Sequence, residues 1–179
     1  MDVYEPREDS ELLKKHIKKY AKGNVLDMGT GSGILAVEAA KYANMVLALD
    51  INQKAIDKCK EAIDNHKILF AQSDLFQIIE LGKIQRKFNL MIFNPPYLPN
   101  DKYPNIALDG GKEGYELVQR FLSRAKNHLE KNGTILLLVS SLTNKPKIQE
   151  ILKKEGYKYE VLDKESHGFE TLYVYEVNI

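Results

Sequence analysis

Directly after an apolar run stand Asn94-Pro95-Pro96-Tyr97, four residues whose types suit the activation of a planar amide or amino nitrogen. The lone pair of such a nitrogen is delocalised, so it attacks a methyl carbon only when held in line with the breaking bond, at about 3 Å. The side-chain oxygen of Asn94 can accept one N–H of the target, and the Pro95 carbonyl can accept the other. Acceptors aimed at charge that develops in the transition state are the general form of electrostatic catalysis. Pro95 and Pro96 lock the backbone and remove competing donors. Tyr97 offers a flat face to a planar group and a cation–π contact to a sulfonium. Standing alone, the same tetrapeptide also reads as a rigid turn that ends a strand.

A second constellation is Asp27-Met28-Gly29-Thr30-Gly31-Ser32-Gly33, placed between a strand pattern and a helix pattern. Glycine lets the backbone turn sharply and lets a ligand approach without meeting a Cβ. The spacing is neither G-x-G-x-x-G nor a phosphate loop ending in Gly-Lys-Ser/Thr. The preceding acid, Asp27, would repel a pyrophosphate but suits a ligand with a positive amine, such as the methionine part of S-adenosylmethionine. Asp50 ends the next strand, where a carboxylate can accept from both ribose hydroxyls, each bond contributing about 1.5–3 kcal/mol. Asp74 ends the third strand and can accept from an adenine amino group. Each acid singly is an ordinary turn residue. Three at successive strand ends around one crevice favour an adenosyl cofactor.

The elements that must position these residues can be read from periodicity. Ser10 as N-cap, acids in the first turn and late lysines predict a helix running past Ile17 to Tyr20 and stopped at Gly23. Strands are predicted at 24–28, 45–49 and 68–71, separated by helices at 34–42 and 53–65. The strand at 88–93 must stop at Pro95, which has no N–H for a ladder. Val118, Phe121, Leu122, Ala125 and Leu129 predict an amphipathic helix ending at Asn132-Gly133. A strand at 134–139, a helix at 147–154 opened by Pro146, and strands at 158–162 and 171–177 complete the pattern. The expected fold class is α/β: a doubly wound, Rossmann-like, seven-stranded and mostly parallel sheet with a C-terminal antiparallel hairpin. Leu98–Gly114 is long, polar and Gly/Pro-containing, as functional lids and disordered loops are.

The 179 residues suit one domain spanning 1–179. No apolar run approaches the roughly 20 residues that cross a bilayer, and the acidic N-terminus lacks a signal core. The expectation is a cytoplasmic protein with no membrane association. A lone cysteine, Cys59, excludes an internal disulfide, and four scattered histidines argue against a metal site. A net charge of +1 lacks the basic excess of a duplex-binding enzyme, so a nucleic-acid partner is disfavoured.

Taken together, Tyr4-Glu5-Pro6-Arg7-Glu8-Asp9-Ser10, the Asp27–Gly33 loop, Asp50-Ile51-Asn52, Ser73-Asp74-Leu75-Phe76 and Asn94-Pro95-Pro96-Tyr97 resemble the HemK-like protein glutamine methyltransferases. The match is best to the short branch that lacks an N-terminal helical domain. Gly110-Gly111-Lys112-Glu113-Gly114 and Glu170-Thr171-Leu172 also fit it. The resemblance implies a class I S-adenosylmethionine-dependent methyltransferase that modifies N5 of the glutamine in the Gly-Gly-Gln motif of a peptide chain release factor. By motif position it implies cofactor contacts from Ser10, Asp27, Gly29, Gly31, Asp50, Asp74, Leu75 and Asn94, and a glutamine held by Asn94, Pro95, Pro96 and Tyr97. It also implies a small zinc-binding activator protein as partner. Two other readings stay open: an amino methyltransferase acting on adenine N6 or guanine N2 of RNA or DNA, with Tyr97 stacking a flipped base, and a non-catalytic cofactor-binding subunit.

Overall fold

The computed structural model describes residues 8–96 and 114–179. Tyr4–Arg7, Tyr97 and most of the stretch expected to form a lid therefore lie outside the described residues.

The described residues open with α1 (Glu8–Tyr20), whose acids Glu8, Asp9 and Glu11 and late Lys18 and Lys19 match the helix dipole. Then follow β1 (Asn24–Met28), α2 (Ile34–Ala40), β2 (Met45–Asp50), α3 (Gln53–Ala62), β3 (Ile68–Gln72), the single turn α4 (Gln77–Glu80) and β4 (Phe88–Phe93). The second half holds α5 (Glu116–Ala125), β5 (Leu129–Ser140), α6 (Lys145–Lys154), β6 (Lys158–His167) and β7 (Glu170–Asn178). One seven-stranded sheet runs in the order β3-β2-β1-β4-β5-β7-β6. Its first five strands are parallel, and β7 lies antiparallel to both β5 and β6. This is the expected architecture. Because β1 pairs with β2 on one side and β4 on the other, the winding reverses there and opens a crevice above the strand ends.

Each face of the sheet carries its own apolar layer. On one, α1 and α2 pack Leu12, Leu13, Ile17, Ala36 and Ala39 onto Val46, Ile92 and Leu136. The alanines of α2 let the helix lie close to the strands. On the other face, Phe76, Phe93 and Phe121 meet with ring centroids 5.3 and 4.5 Å apart about Phe121. Burial of one such side chain stabilises the fold by about 1.5–3 kcal/mol. Among the described residues, no helix is long and apolar enough to cross a membrane.

The elements depart from the periodicity in a few places. Ser10 is not the N-cap of α1 but sits inside its first turn, buried beside Asp9. α2 and α3 stop at Ala40 and Ala62, short of the predicted ends. α5 ends at Ala125, and Leu129, which the helical spacing had placed on the same helix, opens β5. Leu129 pairs with Phe88, after which the register shifts before Leu90 meets Thr134. Gly133 sits in that irregularity, where a Cβ would stand 2.8 Å from the Phe88 carbonyl oxygen. The predicted helix end is thus a bulge inside a long strand. The spacing misleads because helix and strand bury Leu129 in the same apolar layer.

Candidate active site at the carboxyl ends of the strands

All the sequence-derived site residues that are described lie at one edge of the sheet, or in the first turn of α1 beside it. The glycine loop follows β1, Asp50 ends β2, Asp74 follows β3 and Asn94 follows β4. With neighbouring strands about 4.8 Å apart, the span from β3 to β4 is about 14 Å, enough for an extended nucleoside joined to an amino acid.

Gly29, Gly31 and Gly33 all have left-handed backbones, with φ of 68°, 54° and 82°. At Gly33 a Cβ would meet Ile63 Cδ1 at 2.6 Å and Cys59 Sγ at 3.2 Å. The loop is tied to β2 by the Thr30 N–H, which donates to the Leu49 carbonyl at 2.8 Å. Two carboxylates brace it further. Asp27 lies beneath the loop, accepting the Thr30 hydroxyl at 2.6 Å. Burial, helped by the charge of Asp50, pushes its carboxyl up to about 7. Asp50 accepts the Gly31 N–H at 2.9 Å through Oδ2 and the Asn52 N–H at 2.8 Å through Oδ1. Burial also raises the Asp50 carboxyl, against these donated bonds. Each of its oxygens keeps a second lone pair for a hydroxyl. Cys59 is buried against the Gly31 carbonyl at 3.3 Å, and burial pushes its thiol up to about 11, so it stays an unreactive core side chain.

Beyond β3, Asp74 is half exposed and forms an ion pair with Arg120 of α5 at 2.7 Å. Arg120 was not anticipated, because nothing in a polar helix position reveals what it reaches across the fold. Leu75 is the only described non-glycine residue with positive φ, at 49°. Such a backbone costs a leucine about 1–2 kcal/mol. It is held by the Ser73 hydroxyl, which donates to the Leu75 carbonyl at 2.8 Å and accepts the Ile78 N–H at 3.1 Å. Strain of this kind at a crevice is a sign of a site whose backbone is shaped for a ligand.

At the end of β4, the Asn94 amide donates through Nδ2 to Asp9 Oδ2 at 3.0 Å, with Ser10 Oγ 3.5 Å away. Its Oδ1 is buried and has no hydrogen-bond partner among the described residues. Pro95 is buried and Pro96 half-buried behind it. Tyr97 lies outside the described residues. Asp9, like Arg120, was given no role by sequence reasoning, although it stands in the Tyr4–Ser10 motif. The signal available was a carboxylate in the first turn of α1 at a position that the apolar face of the helix buries.

The chain matches the family model described as the methyltransferase small domain over residues 7–173. A Methanocaldococcus jannaschii protein with the provisional name protein N5-glutamine methyltransferase is 38% identical, over 97% of this chain and 90% of its own length. The release factor glutamine methyltransferase of Clostridium acetobutylicum is 31% identical over 85% of this chain, which spans only 60% of that relative. Among solved structures, the E. cuniculi Mtq2-Trm112 complex, responsible for the methylation of the eRF1 translation termination factor, superposes with a TM-score of 0.78. That match has 26% identity and covers 99% of each chain.

Proposed function

Since this chain belongs to the methyltransferase small domain family, and within it to the protein N5-glutamine methyltransferases, we propose that it methylates N5 of the glutamine in the Gly-Gly-Gln motif of a peptide chain release factor. The observation that carries this reading is the buried Asn94 Oδ1, which has no hydrogen-bond partner among the described residues and so stands as an acceptor for an incoming donor.

The strand ends fit S-adenosylmethionine, which supplies an electrophilic methyl group when bound. Gly29 and Gly31, both left-handed, would cradle the methionyl part together with the buried Asp27 and Ser10. Asp50 would offer its free lone pairs to the ribose hydroxyls, and Asp74 with the strained Leu75 backbone would frame the adenine. Asn94 Oδ1 and the Pro95 carbonyl would each accept one N–H of the glutamine amide, Pro96 stiffens the corner, and the Tyr97 ring, outside the described residues, is of a type that could cover the amide plane. As the nitrogen turns pyramidal and gains positive charge, both acceptors strengthen their hold. Loss of the surplus N–H proton from the nitrogen to solvent then leaves a neutral N5-methyl amide.

The whole of residues 1–179 serves as one catalytic domain in this reading, working in the cytoplasm where translation ends. A small zinc-binding activator would cover the β3 edge of the sheet. Leu69 on that edge strand and Ile51 beside it are 49% and 50% exposed, as a partner-covered edge would be when the chain stands alone.

The test offers labelled S-adenosylmethionine, with and without an activator, to a release factor, its Gly-Gly-Ala variant, and bulk DNA and RNA. Label in the intact factor alone is the expected result. Label confined to nucleic acid would establish the amino-methyltransferase alternative instead. Asn94→Ala should bind the cofactor within a few fold of normal, yet lose about 100-fold or more in transfer rate. Near-normal turnover would show that the corner does not hold the nucleophile.

A further inference from the structure

We infer that Asp9 is a positioning residue for the transfer: it holds the Asn94 side chain with its oxygen toward the target and polarises that oxygen. The inference deepens the methyl-transfer reading above and rests on it. Asp9 is 2% exposed in the first turn of α1, and its two oxygens face different donors. Oδ1 accepts the Ser10 N–H at 2.6 Å, and Oδ2 accepts Asn94 Nδ2 at 3.0 Å.

An ionised carboxylate can only accept. The NH₂ end of the Asn94 amide must therefore turn toward Asp9, and planar geometry sends Oδ1 the opposite way. Turning the amide over would set Oδ1 against a carboxylate oxygen. It would also present a donor where the two N–H groups of a glutamine need acceptors. Besides Asp9, the described residues offer the amide only the Ser10 hydroxyl, 3.5 Å from Nδ2, a contact too long to hold by itself an oxygen that is buried without a described partner, which is unfavourable. The carboxylate thus stores the acceptor in a ready orientation.

A second effect follows from the series Asp9–Asn94–target. Hydrogen bonds in a chain polarise one another, so negative charge behind the amide increases electron density on Oδ1. That gain matters most when positive charge has grown on the attacking nitrogen. Asp9 should then act on kcat more than on KM. α1 also docks through Leu12, Leu13 and Ile17, so the same helix carries packing on one side and the positioning carboxylate at its start.

The test is a double-mutant cycle measured under single-turnover conditions. Asp9→Ala should lower the transfer rate about 10- to 100-fold, the range of one charge-assisted hydrogen bond. KM for the release factor and cofactor affinity should move less than about threefold. Asp9→Asn can turn its own oxygen to Asn94 at the cost of the Ser10 N–H bond, so it should keep the orientation, lose the charge and fall between wild type and Asp9→Ala. In an Asn94→Ala background, Asp9→Ala should change the rate less than about twofold. Losses that add across the pair, or that appear in KM or cofactor affinity, overturn the inference. The side-chain ¹⁵N amide signal of Asn94, identified by its absence in Asn94→Ala, gives a readout without turnover. Wild type and Asp9→Asn should show two well-separated, slowly exchanging protons, and Asp9→Ala should not. Identical spectra in wild type and Asp9→Ala overturn the inference. If wild type methylates no release factor, the substrate reading falls while the spectra still decide the role of Asp9.

Discussion

Asp27→Asn should stabilise the protein at alkaline pH and do far less at acid pH. Asp27 is 1% exposed, and burial, with the charge of Asp50 acting in the same direction, lifts its carboxyl from an ordinary 3.8 to about 7. Between about pH 4 and 7 the folded protein keeps this proton, whereas the unfolded chain has released it. Unfolding in that window frees a proton, so stability falls as pH rises, and the loss is complete above about pH 8. The full shift of about three units corresponds to about 4 kcal/mol, of which about 2–3 kcal/mol falls between pH 5 and pH 8. Asparagine cannot ionise and carries no such slope. The stability of the variant minus that of wild type should therefore grow by about 2–3 kcal/mol from pH 5 to pH 8, whatever constant offset the amide introduces. Urea unfolding at several pH values, with the denaturant slope unchanged, measures this directly. Parallel stability curves for the two proteins would refute the claim that Asp27 is a buried carboxyl ionising under strain. The same substitution removes a negative charge from beneath the glycine loop, so affinity for a cationic cofactor should fall at pH 8 and hardly at pH 5.

Asp50→Ala removes both the acceptor for the Gly31 N–H and the proposed ribose partner. Calorimetry should show cofactor affinity falling by about 10-fold or more, and unchanged affinity would place the ribose elsewhere. Gly133→Ala puts a methyl 2.8 Å from the Phe88 carbonyl oxygen, where backbone must move. Thermal or urea unfolding should show a loss of about 1–3 kcal/mol, and a neutral effect would mean that the β4–β5 irregularity is easily reshaped.

Most of the fold was legible because burial on a helix and burial in a strand leave different periods. The apolar run at 134–139, the stop at Pro95 and the alanine-rich stretch after Gly33 all became the elements they predicted. The helix expected to reach Asn132 failed for a definable reason. Leu129 satisfies the helical spacing from Val118, yet its backbone pairs with Phe88. Local spacing reports which layer a side chain enters, not which hydrogen bonds its backbone makes. The turn α4 was missed because four residues are too few to show a period.

The sequence by itself determined the chemistry on offer. A glycine loop after an acid, acids at the next two strand ends and an Asn-Pro-Pro-Tyr corner are local features, set by residue type and by a few neighbouring backbone angles. Only the tertiary structure decided how those groups are held. Asp9 meets Asn94 across 85 positions of chain, Arg120 reaches Asp74 across 46, and Gly31 leans on Asp50 across 19. Such pairings depend on the sheet order and on how α1 and α5 dock. Those are set by the shape of two apolar layers as a whole, and no single stretch of sequence carries them.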